Sequence, residues 1–163
     1  PIITGIEDNW NEIKSMSGRF EQIDQEGNVN VSKLDGVTVG PGGFIDIAQN
    51  AKKVLFCGTF DTKGTKLKTG NGELKIEKPG NIRKLVQKVD QITFSGKQAL
   101  KQEQKIVYVT ERALFRLTEL GLLLEELAPG VDLQKDVLKQ MNFTPTISPN
   151  LKTMDSDLFR EFR

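Results

Sequence analysis

The sequence predicts an α/β domain, and three observations support this fold class. Short β-type runs alternate with helical patterns along the chain, as they do in α/β proteins. The largely apolar run Lys53–Phe60 is typical of a strand that is buried on both faces and lies centrally in a sheet. The length of 163 residues, with 37% hydrophobic and 28% charged residues, is sufficient for one domain with a real core.

The first half of the sequence predicts two strands, a helix and a hairpin. Asn28–Val31 alternates polar and apolar residues after a turn at 25–27, which is the pattern of a short strand. Phe44–Ala51 predicts one or two helical turns, and Lys53–Phe60 is the buried strand. Thr69–Gly72 has the residue types of a hairpin turn between two short strands.

The second half predicts further strands and one capped helix. The strand candidates are Gln91–Phe94, Lys105–Thr110, and an antiparallel pair formed by Ala113–Leu117 and Leu120–Leu127. Asp132 stands where a cap is expected for a helix over Leu133–Met141. Pro145 and Pro149 predict short extended pieces after that helix.

The counts of histidine and cysteine exclude several kinds of chemistry. The chain has no histidine and a single cysteine, Cys57. It therefore cannot supply a Ser-His-Asp or Cys-His relay, a His-ligated metal or an intrachain disulfide. Any catalysis must use carboxylates, lysines, hydroxyls or backbone amides, and no metal site is expected. Because Cys57 lies in the apolar strand, we expect a buried and unreactive thiol.

The charges are unevenly spread, although the net charge is only +1. Residues 51–105 contain 13 Lys or Arg and 5 Asp or Glu, whereas the rest of the chain is acidic. Two interpretations are open: a site for a phosphate-bearing ligand, or a solvated lysine-rich surface. Nucleic acid is not an expected partner, because the basic stretch has little aromatic interleaving. No apolar run is long enough to cross a membrane, and with the lone thiol this favours the cytoplasm.

A glycine-rich turn, Gly40-Pro41-Gly42-Gly43, precedes the predicted helix at Phe44. Its backbone can approach a ligand closely, and its amides can bind a phosphate or stabilise an oxyanion. The turn lacks the Lys-Ser/Thr of a Walker motif and does not have the GxGxxG spacing of a dinucleotide fingerprint.

Five motifs in register give the sequence its family resemblance. They are 25–33 (QEGNVNVSK), 40–54 (GPGGFIDIAQNAKKV), 91–96 (QITFSG), 107–117 (VYVTERALFRL) and 127–132 (LAPGVD). In this order they resemble family I CoA-transferases, nearest to the acetate or propionate branch, over about residues 20 to 155. The expected fold is then an open, mixed and mainly parallel sheet flanked by helices, a CoA-transferase-like half domain.

The resemblance implies a reaction that needs neither histidine nor metal. Such enzymes move coenzyme A between short-chain carboxylic acids through a glutamate nucleophile, an acyl-glutamyl anhydride and a glutamyl-CoA thioester. It implies that Gly42 and Gly43 form part of an oxyanion wall, and that Glu111 is an active-site carboxylate but not the nucleophile. Gly40, Phe44 and Lys63 are implied to contribute to the coenzyme A site. Coenzyme A is a substrate here, and no separate cofactor is expected.

The chain departs from the family at its N-terminus. The family's nucleophilic glutamate lies in a Glu-x-Gly motif several tens of residues before the Asn28–Val31 strand, and Glu7 is too close and lacks the glycine. We therefore divide the chain into an unassigned segment, 1–18, and the C-terminal part of a CoA-transferase domain, 19–163. The expected partners are acyl-CoA, a carboxylate, the N-terminal part of the same enzyme and further copies in a homo-oligomer. The isolated chain is expected to be inactive.

Two alternatives belong to other classes. The chain can be a non-catalytic assembly module that keeps the fold and its interfaces, or it can bind a nucleotide or another phosphate ligand through residues 40–66. The sequence does not determine the acyl specificity or the oligomeric state.

Overall fold

A computed structural model describes residues 13–16, 20–34, 36–38 and 40–160 of the protein. Within these residues, six strands form the main sheet in the order β1-β6-β11-β12-β13-β14. These strands are β1 (Ile13–Met16), β6 (Lys53–Cys57), β11 (Lys105–Val109), β12 (Ala113–Thr118), β13 (Gly121–Leu127) and β14 (Thr146–Thr153). Glu7 and most of the unassigned segment 1–18 lie outside the described residues.

Three of the five strand pairs in this sheet are parallel. β1, β6 and β11 run parallel to one another, with Lys105 opposite Lys53 and Val109 opposite Cys57. β11, β12 and β13 form an antiparallel meander, and β14 pairs parallel with β13. The predictions of a mixed, mainly parallel sheet and of an antiparallel pair around residues 118–120 are confirmed. The strand predicted over Lys53–Phe60 is present but ends at Cys57, and it lies next to the edge strand β1 of the described sheet.

The remaining elements lie around this sheet. Short strands form four pairs: β2 (Gln22–Ile23) with β3 (Val29–Asn30), β4 (Lys33–Leu34) with β5 (Val37–Thr38), β7 (Asp61–Thr62) with β10 (Ile82–Arg83), and β8 (Lys66–Gly70) with β9 (Glu73–Lys78). The helices are α1 (Phe44–Asn50) and α2 (Gly96–Lys101), with a π-helical turn at Leu133–Val137 and 3-10 turns at Leu138–Gln140 and Ser156–Phe159. No helix in the described ranges is long and apolar enough to cross a bilayer.

The main core lies on one face of the sheet. Val54 and Phe56 of β6 point into it, and the Phe56 ring stacks on Tyr108 with a centroid distance of 5.4 Å. A smaller cluster on the other face includes Leu74 from β9 and Phe159 from the last 3-10 turn. The hairpin β8–β9 thus covers part of the second face.

The predicted hairpin turn around residue 71 is confirmed, and its local chemistry explains it. Asn71 and Gly72 both have positive φ, +54° and +79°. These are the two central positions of a turn whose twist matches that of the flanking strands, and Asn followed by Gly is the favoured pair there.

Three local predictions differ from the structure. Gln91–Phe94 is not a strand, because only Phe94 forms an isolated antiparallel bridge, with Val29. The helix over Leu133–Met141 is replaced by the π-helical and 3-10 turns, although Asp132 does cap them by accepting a hydrogen bond from the Lys135 amide at 2.6 Å. Cys57 is exposed rather than buried, because strand alternation turns it away from the core face that holds Phe56.

Candidate active site

The glycine turn lies at the carboxyl edge of the parallel strands, where β6 and β11 end. At the start of α1, the Phe44 ring packs on Phe56, the penultimate residue of β6, with a centroid distance of 5.9 Å. At the other end of α1, Gln104 donates to the Ala48 carbonyl at 3.0 Å, just before β11 begins. The helix therefore runs antiparallel to β6 and presents residues 40–43 at the carboxyl edge, where α/β sheets place their ligands.

The backbone of this turn is open to solvent. Gly40, Gly42 and Gly43 are all exposed, and a Cβ added to Gly40 or Gly42 would meet nothing within 4 Å. Gly42 has a φ of +56°, a conformation that favours glycine. Within the described part of the chain, the amides of Gly42 and Gly43 have no hydrogen-bond partner, so both N–H groups are available to donate to a ligand.

Phe44 supports the turn from the core side. Its side chain is buried against Phe56, and its amide donates to the Pro41 carbonyl at 3.2 Å. A side-chain contact between Phe44 and a bound ligand is therefore not available in this arrangement. The ring instead fixes the position of the helix start relative to the sheet.

Glu111 follows β11 and lies at the same edge. Its carboxylate accepts hydrogen bonds from the Phe60 amide at 2.8 Å and from Nε of Arg112 at 3.2 Å, and its side chain is 19% exposed. Burial raises the pKa of Glu111, an effect that the Phe60 amide and Arg112 oppose and that Asp61 reinforces. Glu111 thus forms an ion pair with the adjacent Arg112, whose side chain is fully buried.

Arg112 joins the segments that meet at this edge. Its side chain is fully buried, and Nη2 donates to Oδ2 of Asp61 at 2.6 Å. Nη1 donates to the Asp136 carbonyl at 3.2 Å, and the guanidinium lies over the Phe60 ring at 4.8 Å from its centroid. No local sequence signal marks Asp61 as the partner of Arg112, because the two residues are 51 positions apart in the chain.

Lys63 lies in an exposed turn directly after β7. Its φ is +59°, and its carbonyl accepts a hydrogen bond from the Asn81 amide at 2.9 Å. Two residues of chain reach at most about 7 Å, so Lys63 stays close to Asp61 and to the carboxyl edge. Its ammonium can therefore interact with an anion bound beside this edge.

The chain contains one Glu-x-Gly tripeptide, Glu119-Leu120-Gly121, but it lies at the opposite edge of the sheet. β12 runs antiparallel to β11, so the turn after Thr118 is at the amino ends of the parallel strands. Gly121 there packs against the chain at Gln25, whose carbonyl accepts from the Leu122 amide at 3.0 Å. Glu119 cannot act with the amides of Gly42 and Gly43 in one site.

Among the residues that the structure describes, no group of three or more Cys, Asp or Glu side chains has the geometry to hold a metal ion. The groups available at the carboxyl edge are backbone amides, one carboxylate with a raised pKa and an exposed ammonium.

Comparison with known proteins gives a consistent result, although no family model matches the chain. Acetate CoA-transferase YdiF of Escherichia coli O157:H7 is 51% identical over 140 residues, which are 86% of this chain and 26% of that protein. Caffeate CoA-transferase of Acetobacterium woodii is 50% identical over 145 residues, 86% of this chain and 28% of that protein. The crystal structure of acyl-CoA transferase YdiF of E. coli O157:H7, described as a thioester complex with CoA, aligns with a TM-score of 0.84 at 50% identity. That alignment covers 86% of this chain and 28% of the other.

Sequence and fold together define the class of protein: the chain is homologous to part of the family I CoA-transferases. It corresponds to one portion of these relatives and spans about a quarter of their length. A stretch that covers 86% of the chain necessarily includes residues 40–111, and thus both the glycine turn and Glu111. The resemblance drawn from five motifs is confirmed.

Proposed function

We propose that this chain is the C-terminal part, with the domain at 19–163, of an acyl-CoA:carboxylate CoA-transferase. It supplies the oxyanion wall formed by Gly42 and Gly43 and part of the surface that binds coenzyme A. The nucleophilic glutamate comes from the portion of the enzyme outside this chain. The observation that carries the proposal is the 51% identity with acetate CoA-transferase over a stretch that includes the open glycine turn and Glu111.

The amides of Gly42 and Gly43 stabilise the oxyanions of the reaction. When the glutamate carboxylate attacks the thioester carbonyl, the carbonyl oxygen becomes negatively charged. Two preorganised N–H donors bind this oxyanion more strongly than they bind the uncharged carbonyl oxygen of the ground state. Collapse of the adduct breaks the C–S bond and leaves an acyl-glutamyl anhydride and the CoA thiolate. The thiolate then attacks the glutamyl carbonyl and releases the carboxylic acid as carboxylate, with the enzyme held as a thioester.

Glu111 acts as an ionised hydrogen-bond acceptor. Its two oxygens are oriented by Phe60 and Arg112 and keep lone pairs for a further donor. The pantetheine arm of coenzyme A carries amide N–H groups that fit such an acceptor. Lys63 places a cation where the CoA phosphates can pair with it. The proposed substrates are an acyl-CoA and a short-chain carboxylate.

Mass spectrometry of the full-length enzyme after incubation with acetyl-CoA tests the proposal. We expect a CoA-sized adduct on a glutamate outside residues 19–163, and no adduct on Glu111 or on the Glu119 control. An adduct on Glu111 would overturn the assignment of roles. Titration of the same protein with CoA and with ATP separates the alternatives, since selectivity for CoA is expected and equal binding would favour a general phosphate site. Assembly into a homo-oligomer and a cytoplasmic location stay predictions.

A further inference from the structure

Arg112 is a buried cation to which the proposed reaction gives no part. It belongs to the largest fully buried side chains of the described residues, and burial of an arginine is unfavourable unless its charge is paired. Its partners come from three separate segments: the stretch after β6, the turn after β11 and the π-helical turn at Leu133–Val137.

From this arrangement we infer that Arg112 is a positioning residue for Glu111, and that Asp61 is the second carboxylate that fixes the Arg112 guanidinium in place. The inference rests on the proposed function, because it assigns a support to an active-site carboxylate. It assigns no contact between Arg112 and substrate.

The geometry supports positioning more than simple stabilisation. The guanidinium donates a hydrogen bond from Nη2 to Asp61 and another from Nε to Glu111. It therefore cannot turn toward one carboxylate without losing its hydrogen bond to the other. Thr65 donates to the second oxygen of Asp61 at 2.6 Å and fixes that carboxylate in turn. On the other side of Glu111, the Phe60 amide at 2.8 Å completes a two-donor clamp. A side chain held by two donors keeps one orientation for a ligand, and this preorganisation increases catalytic efficiency.

The charges around Glu111 act in opposite directions. Arg112 favours its ionised form, whereas Asp61 disfavours it. In the neighbouring turn, Asp136 meets Arg112 through its carbonyl, while its carboxylate accepts from the Asp132 amide at 3.0 Å instead. Removal of Arg112 and removal of Asp61 should therefore move the ionisation of Glu111 in opposite directions, which loss of stability alone does not do.

Steady-state kinetics of the full-length enzyme over a pH range test the inference. For Arg112→Lys, which keeps the cation but loses the rigid fork, we expect kcat/KM for acyl-CoA to fall about tenfold. The KM for the carboxylate substrate should not change. Asp61→Asn should move the acid limb of the rate profile to lower pH, and Arg112→Gln should move it to higher pH. The matched control is Arg116→Gln, which removes an exposed arginine of β12 that is paired with Glu125 at 2.9 Å.

Each result has a defined meaning. If Arg112→Lys and Asp61→Asn behave like Arg116→Gln while Glu111→Gln is impaired, the positioning role is wrong and the proposed function stands. If Glu111→Gln itself has wild-type kinetics, the role proposed for Glu111 fails instead. Should Arg112→Gln not fold, the shift in Asp61→Asn decides the question.

Discussion

Gly43→Ala separates a catalytic role of the glycine turn from a structural one. Gly43 has a φ of −78° and a ψ of 5°, a conformation that is allowed for alanine. A methyl group added there would lie 3.7 Å from Cδ1 of Ile47, an ordinary contact distance. The only folding cost is the loss of glycine at the first position before α1, and we expect it to be about 0.5 kcal/mol.

The same methyl group should strongly affect the reaction. It would stand on an exposed surface where the acyl oxygen must approach the amides of Gly42 and Gly43. A displacement of about 1 Å from the reactive geometry typically costs about a hundredfold in rate, and loss of one oxyanion donor costs about 3 kcal/mol. We therefore expect kcat of the full-length enzyme to fall about a hundredfold with almost no change in thermal unfolding.

Two assays on the same preparations decide this, acyl transfer at saturating substrates and thermal unfolding monitored by circular dichroism. Gly70→Ala is the matched control, because a Cβ there meets nothing within 4 Å and Gly70 lies in the hairpin β8–β9, away from the glycine turn. A wild-type kcat in Gly43→Ala would refute the proposed role of the Gly42 and Gly43 amides as oxyanion donors. For Gly42→Ala, the control is Gly36→Ala, because both glycines have a positive φ and open surroundings. Both variants should lose about 1 kcal/mol of unfolding free energy, and only Gly42→Ala should lose turnover.

Three further predictions concern stability and reactivity. The folded-state pKa of Glu111 is raised, so its contribution to stability is present at low pH and is lost as the pH rises through that pKa. Urea unfolding should show that Glu111→Gln gains stability relative to the wild type as the pH rises from about 4 through the raised pKa of Glu111, and a constant difference would contradict this. Burial raises the pKa of the Cys57 thiol although the residue is exposed, so iodoacetamide should label it more slowly than a free thiol near neutral pH and faster as the pH rises; labelling at the rate of a free thiol would argue against the raised pKa. Gly96→Ala should destabilise the protein by about 3 kcal/mol, because its Cβ would overlap the Glu26 carbonyl; unfolding at the wild-type urea concentration would exclude that contact.

Local chemistry made several elements predictable from sequence. The Asn71-Gly72 hairpin, the helix that begins at Phe44 and the strand that begins at Lys53 depend on turn residues and on apolar patterning within a few positions. Gln91–Phe94 has the same apolar character, but it does not pair with a neighbouring strand along its length. The Thr93 hydroxyl hydrogen-bonds to Ser32 at 2.8 Å, and only Phe94 bridges to Val29. A strand needs a partner ladder, and a pattern along one segment does not reveal it.

The candidate site was predictable only in part, for the same reason. The glycine turn and Glu111 were indicated by motifs, whereas the Arg112–Asp61 ion pair depends on two segments that meet only in the fold. The exposure of Cys57 likewise depends on which elements cover the second face of the sheet. Sequence patterning predicts that a strand is apolar, but it does not predict how completely each face is covered.

The basic surplus of residues 51–105 is clustered in sequence but not in space. The exposed Lys66, Lys68, Lys75 and Lys78 lie on the hairpin β8–β9, while Lys53 and Lys105 stand at the amino ends of their strands, away from the glycine turn. These lysines fit the interpretation of a solvated surface, one of the two that the sequence left open, whereas Lys63 lies beside the carboxyl edge. An exposed ion pair is weak, so Lys63→Gln should raise the KM for acyl-CoA by only about two- to fivefold, and added salt should reduce that difference. Lys75→Gln serves as the control because it removes the same charge on the hairpin. Equal effects of the two substitutions on KM would mean that the whole basic surface, and not Lys63, attracts the coenzyme.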